Sequence, residues 1–167
     1  MRLSRLLTIA VGALASSMAF TLAAQPASAE VRTPEIGALA GSAVLGVDGA
    51  GTVRVAGTYR CWGPSEEMHV WVSVKQGGPD PTAEGSSSTV DAWYDTNVSQ
   101  DVEVTCDGRW HVKHVTLGRN PTDFTGRPLQ SLHRGKAWLQ FCMVPATSTE
   151  ENFIFASKTR WVTVAGA

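Results

Sequence analysis

The residues of this sequence that could bind a metal are scattered, and their spacing favours ordinary surface roles. His111 and His114 are three residues apart, so on a β-strand they would point to opposite faces and could not share one metal ion without distortion. His69 and His133 are isolated, and no pair of cysteines has the spacing of zinc ligands. The sequence therefore predicts no metal site and no cofactor.

Catalytic motifs are equally hard to find. Two carboxylate pairs, Asp91 with Asp95 and Asp101 with Glu103, have the residue types of a glycosidase, but that chemistry also needs a cleft and one raised pKa. The Gly-x-Ser-x-Gly nucleophile elbow is absent, and the Gly-Lys pair before Ala137 lacks the spacing of a phosphate-binding loop. We predict no catalytic residue and no enzymatic activity, with a secreted hydrolase on a β scaffold as an alternative.

Tryptophan is the one residue type whose number points to binding, since the sequence contains six. An indole exposed to solvent often stacks on a sugar or docks against a protein. We predict that Trp110 and Trp161 are core residues. The other aromatic residues lie beside loops or on the less apolar faces of strands, and the candidate binding residues are Trp62, Trp71, Trp93, Tyr94 and Trp138. They would bind an extracellular carbohydrate or protein, unless a second sheet or a loop covers them.

Residues 1–29 have the three parts of a cleavable signal peptide. Arg2 and Arg5 form a basic start, an apolar stretch follows, and the triplet Ala27-Ser28-Ala29 offers the small side chains that signal peptidase requires. We predict cleavage after Ala29 and secretion into the extracellular space. A retained transmembrane helix is the alternative, and the serines and many alanines of the apolar stretch count against it.

The chain after the predicted cleavage has a size typical of one domain. Residues 30–41 are small and unpatterned and predict a flexible leader, whereas residues 42–167 predict a single domain. The formal net charge is −1 and no basic block is present, which argues against nucleic acid as a partner. No membrane contact is expected after cleavage of the signal peptide.

Alternating apolar and polar residues predict that the domain is all-β. The runs 52–61 and 68–76 each place their apolar residues on one face and polar residues on the other, and turn residues separate several more such runs. Seven or eight short strands without helices predict a two-sheet antiparallel β-sandwich, and a small barrel is the alternative. The order Cys61, Trp71, Cys106 resembles the outline of an immunoglobulin domain, although Val104 stands where that fold has a tyrosine.

The three cysteines predict one disulfide and one remaining thiol, with three possible pairings. Cys61 and Cys106 each end the inward face of a predicted strand, and this favours a bridge between them. Cys142 would then remain a free thiol. We expect it to be a small buried residue; the alternative is an intermolecular disulfide that joins a homodimer or captures a partner.

Two short runs of the sequence resemble a known family. They are Gly57-Thr58-Tyr59-Arg60-Cys61 and Val104-Thr105-Cys106-Asp107-Gly108, with His111 shortly after. The pattern resembles that of small secreted actinobacterial proteins classed as a domain of unknown function, over residues 53–164. The resemblance implies a β-sandwich and a bridge between Cys61 and Cys106, and it implies no activity.

Overall fold

The computed structural model of the protein describes residues 32–47, 51–83, 89–146 and 154–166. All of them belong to one compact unit, Val31–Ala167. The predicted signal peptide and its cleavage position lie outside the described residues. Within the described ranges, no helix is long and apolar enough to cross a membrane.

The described residues form eight strands, one short α-helix and one 3-10 helical turn, Ser65–Glu67. The elements are β1 (Glu35–Leu39), β2 (Ser42–Leu45), β3 (Thr52–Arg60), β4 (Met68–Gln76), β5 (Ala92–Asp95), α1 (Thr96–Ser99), β6 (His111–Arg119), β7 (Gly135–Pro145) and β8 (Ala156–Ala165). The all-β class is as predicted. The leader predicted for residues 30–41 is not loose throughout, because β1 pairs with the end of β3, where Glu35 lies opposite Arg60.

Seven of these strands close into a barrel, so the predicted two-sheet sandwich is wrong. The order is β3-β2-β8-β7-β4-β5-β6, and β6 returns to β3 through an antiparallel ladder from Thr52 opposite Gly118 to Tyr59 opposite His111. β1 pairs with β3 on the same edge as β2. Alternation along a strand reports which face is buried, and it is the same in a sandwich and in a barrel. The alternation does not indicate which strand edges pair with each other.

The barrel interior is filled by the alternating apolar residues of the strands. On β7 every second side chain from Ala137 to Met143 is fully buried, and Phe141 is the largest of them. Across the barrel, a Cβ atom at Gly57 would lie 2.8 Å from Cε2 of Phe141 and 3.0 Å from Cδ2 of Leu39. Gly57 therefore makes room for the phenyl ring, so that β3 and β7 approach closely.

The short strand β5 ends at Asp95. After it, α1 and an extended segment, residues 100–106, occupy the space between β4 and β6. Val72 N donates to Thr96 Oγ1 at 3.2 Å, and Val70 N donates to the Val102 carbonyl at 3.0 Å. The alternating residues 102–106 predicted an ordinary strand. They instead lie against the end of the barrel, where Val104 and Cys106 pack on the core without forming a regular ladder.

The predicted bridge between Cys61 and Cys106 is confirmed, with Cα atoms 4.5 Å apart. It joins the end of β3 to the segment that leads into β6. Cys142 lies outside the disulfide, with no exposed surface, and Gln140 Nε2 donates to its sulfur at 3.6 Å. A buried sulfur cannot reach a second chain from this position, so the structure gives no support to an intermolecular bond through Cys142.

Candidate binding surface

The structure distributes the aromatic residues differently from the prediction. Trp93 is only 4% exposed and Tyr94 not at all, so these two candidates are removed from any exposed surface. The two tryptophans predicted as core residues are instead the exposed ones: Trp110 at 50% and Trp161 at 40%. Trp62, Trp71 and Trp138 are half-buried, and two of them neighbour the exposed rings.

Trp93 and Tyr94 are buried on opposite sides of β5. Tyr94 points into the barrel core. Trp93 points outward, but Val90 and Leu129 from two loops pack over it, and Phe124 meets its ring edge-on at 5.4 Å between centroids. The predicted alternative, that a loop covers the aromatic residues, therefore holds for Trp93. A strand pattern cannot reveal such cover, because Leu129 and Phe124 come from a loop more than thirty residues further along the chain.

The turn that carries Phe124 is organised by the carboxylate of Asp123. Asp123 Oδ1 accepts hydrogen bonds from the hydroxyl and the N–H of Thr125 and from the N–H of Arg127, and Oδ2 lies 2.9 Å from Arg127 Nε. The hydrogen bond from the Thr125 hydroxyl, together with those from Arg127, lowers the pKa of Asp123 to about 2. The ionised carboxylate thus holds the turn over Trp93.

Acid is expected to loosen this turn only at very low pH. Because the folded-state pKa of Asp123 lies below its ordinary value of 3.8, its stabilising contribution is complete above that value and is lost as the pH falls through about 2. A carboxyl-resolved NMR titration should give this pKa, and Thr125→Ala should raise it toward 3.8. An unshifted Asp123 in the unaltered protein would contradict the hydrogen-bond network described above.

The most exposed tryptophan, Trp110, belongs to a stack of alternating cations and indoles, the Trp–Arg ladder, made of Arg32, Trp62, Arg60 and Trp110. The Arg60 guanidinium carbon lies 4.9 Å from the ring centroids of both Trp62 and Trp110, and that of Arg32 lies 5.7 Å from the Trp62 centroid. Such contacts stabilise by about 0.5–1 kcal/mol each at exposed positions. The ladder therefore holds long side chains in one arrangement on the outside of the barrel.

Arg60 is also held by β1. Its Nη2 donates to both carboxylate oxygens of Glu35, at 2.6 and 2.8 Å. Glu35 lies opposite Arg60 in the β1–β3 ladder, so the ion pair follows from the register. Since the pair is partly exposed, it contributes mainly to position and little to stability.

Two glycines let the indoles approach the backbone closely. A Cβ atom at Gly108, whose φ of 79° suits glycine, would lie 2.6 Å from Nε1 of Trp62. A Cβ atom at Gly37 would lie 2.9 Å from Cζ3 of Trp110. Cys61 and Cys106 immediately precede Trp62 and Asp107, which pair as an isolated bridge. The disulfide thus fixes the backbone on which Trp62 rests.

A second exposed aromatic pair lies on the outer face of β7 and β8. Trp138 and Trp161 are directly opposite in the ladder, and their rings meet edge-on with centroids 5.1 Å apart. Lys136 Nζ lies 4.1 Å from the Trp161 centroid. The two candidates Trp62 and Trp138 therefore each belong to an exposed cluster, and in each case the more exposed ring is a tryptophan that the sequence pattern placed in the core.

The titratable residues near these clusters have structural partners. His111 stacks on Tyr59 and lies 2.7 Å from Asp107, while His114 lies on the outer face of β6. Burial raises the pKa of Asp95, whose carboxylate accepts from the first N–H groups of α1. Among the described residues, no group of three or more His, Cys, Asp or Glu is placed to hold a metal ion.

No protein family, curated protein or solved structure matches this chain. Its function is therefore inferred from the chemistry of its own surface.

Quenching of tryptophan fluorescence should separate the exposed from the buried rings. We expect Trp110→Phe to remove a larger share of the acrylamide-quenchable emission than Trp93→Phe, because Trp110 is half exposed and Trp93 is covered by two loops. Stern–Volmer plots of the two variants and the unaltered protein measure this difference. Equal losses of quenchable emission would mean that the loops do not cover Trp93 in solution.

Proposed function

We propose that this protein is a secreted, non-catalytic binding protein that docks a folded protein partner on the Trp–Arg ladder. The observation that carries the proposal is the half-exposed Trp110 ring, held against Arg60 and two residues before Val112, which is 65% exposed. A large apolar surface held rigidly in water has a cost in solubility, and binding is its usual use.

The composition of the ladder is that of a protein-binding hot spot. Tryptophan and arginine are enriched among the few residues that dominate interface energies. The ion pair with Glu35 and the stacking on two indoles order the Arg60 side chain before binding. Such preorganisation lowers the entropy lost when a partner docks.

A protein partner fits this surface better than a carbohydrate does. Guanidinium groups already stack over the Trp62 and Trp110 rings, at positions where a sugar would stack. The exposed Val112 extends the apolar surface onto the outside of a convex barrel, where it matches another protein surface. The predicted signal peptide and the disulfide are both compatible with an extracellular partner.

A photo-crosslinking amino acid at position 112 tests the proposal. With p-benzoylphenylalanine replacing Val112, irradiation in the extracellular fraction of the source organism should give one discrete protein adduct. The same replacement at Arg54, which is exposed elsewhere on the outer face of β3, serves as the matched control.

The adduct at position 112 should disappear in the Trp110→Ala background, because that variant removes the largest exposed ring of the ladder. Near-ultraviolet circular dichroism checks that the variant is folded. The same adduct from both positions, no adduct at all, or an adduct that contains only glycan would each refute a protein-docking role for the ladder.

A further inference from the structure

We propose that the free edge of β8 binds an extended acidic peptide segment of another protein as an additional β-strand. This surface is separate from the Trp–Arg ladder, and the proposal does not depend on the function suggested for that ladder. β8 pairs along its whole length with β7, from Ala156 opposite Met143 to Val164 opposite Gly135. On its other edge, β2 pairs with it only from Thr163 onward.

The orientation of the backbone identifies which groups are unpaired. Thr163 N donates to the Gly41 carbonyl, so its N–H points away from β7. The register with β7 is unbroken, and residues two apart on a strand point their N–H and C=O groups the same way. The backbone groups of Ser157, Thr159 and Trp161 therefore face the open edge, and among the described residues no strand pairs with them there.

Arg160 ends the pairing between the two parallel strands. Thr163 lies opposite Ser42, and its N–H donates to the carbonyl of Gly41, the residue before Ser42. In the same parallel register, the N–H of Trp161 would donate to the Leu39 carbonyl. That carbonyl instead accepts from Arg160 Nη1 at 2.5 Å. The guanidinium thus takes the place of a ladder hydrogen bond. Among the described residues, no strand forms a ladder with β8 before Thr163 on this side, although Leu39 of β1 lies near it.

The exposed edge carries a consistent charge. Residues 157–161 are all exposed, and neither β7 nor β8 contains an acidic residue. Lys158 and Arg160 project on one side of the edge, and neither forms an ion pair with a described carboxylate. Thr159 and Trp161 project on the other side. An added strand would place alternate side chains beside two cations and beside an indole.

The charges of Lys158 and Arg160 determine which kind of strand can pair with this edge. If a second copy of the chain paired antiparallel around Thr159, Lys158 would lie opposite Arg160 of that copy, and like charges directly opposite are destabilising. Cations on an edge strand oppose self-association in this way. A segment with acidic residues at alternate positions would instead place a carboxylate beside each cation. The charge pattern therefore fits an acidic extended peptide and disfavours a homodimer.

Amide hydrogen exchange of the protein, followed by NMR, tests the proposal with a defined probe. The probe is a short capped peptide of alternating Glu and Val, and the same peptide with Lys in place of Glu is its control. With the acidic probe, the amides of Ser157, Thr159 and Trp161 should exchange at least about tenfold more slowly. The amides of Lys158 and Arg160 are already bonded to β7 and should change little.

Two pairs of matched variants link the binding to the edge. Thr159→Pro removes an N–H on the open edge without interrupting the β7 ladder, and should weaken the probe about tenfold, whereas Thr159→Val keeps the N–H and should retain binding. Lys158→Glu should weaken binding about fivefold, and Arg54→Glu, on β3, should not. Circular dichroism verifies the fold of each variant.

The remaining outcomes overturn the proposal. Absence of saturable binding, equal binding of the Lys peptide, or a probe that protects no edge amide would each exclude strand addition. Equal binding of polygalacturonate without amide protection would show that the cations attract any polyanion. Protection of the edge amides by the protein alone at rising concentration would identify a second copy as the occupant.

Discussion

Removal of the disulfide, as in the double variant Cys61→Ala with Cys106→Ala, is expected to lower the free energy of unfolding by about 4 kcal/mol. The bridge spans 45 residues, and the chain-entropy model gives this value for a loop of that length. Urea unfolding of the double variant and the unaltered protein measures the difference. For a domain of this size, such a loss is a large part of the total stability.

The matched control for this experiment is Cys142→Ala. It also removes a buried sulfur but leaves the bridge intact, so its effect should be much smaller than that of the double variant. The double variant should also increase the acrylamide quenching of Trp62, since the bridge holds the backbone on which that ring rests. A loss of stability no greater than that of Cys142→Ala would contradict the role assigned to the disulfide.

Truncation of a large core ring, Phe141→Ala, is expected to cost about 3–5 kcal/mol, because a fully buried phenyl leaves a cavity that the barrel cannot easily close. Gly57→Val should also destabilise, by about 1–3 kcal/mol, because its Cβ would overlap that ring. Denaturant midpoints and m-values of both variants measure the two effects.

The double variant Gly57→Val with Phe141→Ala is the decisive measurement. Valine would occupy part of the space that the ring vacates, so the double variant should be more stable than the sum of the two single losses predicts. Strict additivity would show that Gly57 and Phe141 do not share one packing space. The cycle thus tests the close approach of β3 and β7 independently of any single variant.

The sequence predicted local structure well and long-range structure poorly. The strand 52–60 and its inward face were predicted correctly, since alternation is a local property. The bridge between Cys61 and Cys106 was predicted because both residues end inward faces. The barrel was only the alternative to a sandwich, because closure depends on β3 pairing with β6, and no local signal indicates which strand edges pair.

The aromatic surface shows the same limit. Trp110 immediately precedes an alternating strand and Trp161 lies within one, so both were assigned to the core, but each points to the outer face. The pairing of Trp138 with Trp161 and the stacking of Trp110 on Arg60 become visible only once the register is known. Trp93 and Tyr94 were predicted to be exposed but are buried. Loops cover Trp93 and the core covers Tyr94, although the aspartates that flank this strand suggest exposure.

The parallel pairing of β2 with β8 has a consequence for how the protein is made. It joins Ser42, near the beginning of the described chain, to Thr163, near its end, so the ring of strands cannot close until the last strand has been synthesised. Contacts between residues so far apart in sequence form slowly. A nascent chain that still lacks β8 therefore remains an open sheet, and the final fold forms only after the whole domain has been synthesised.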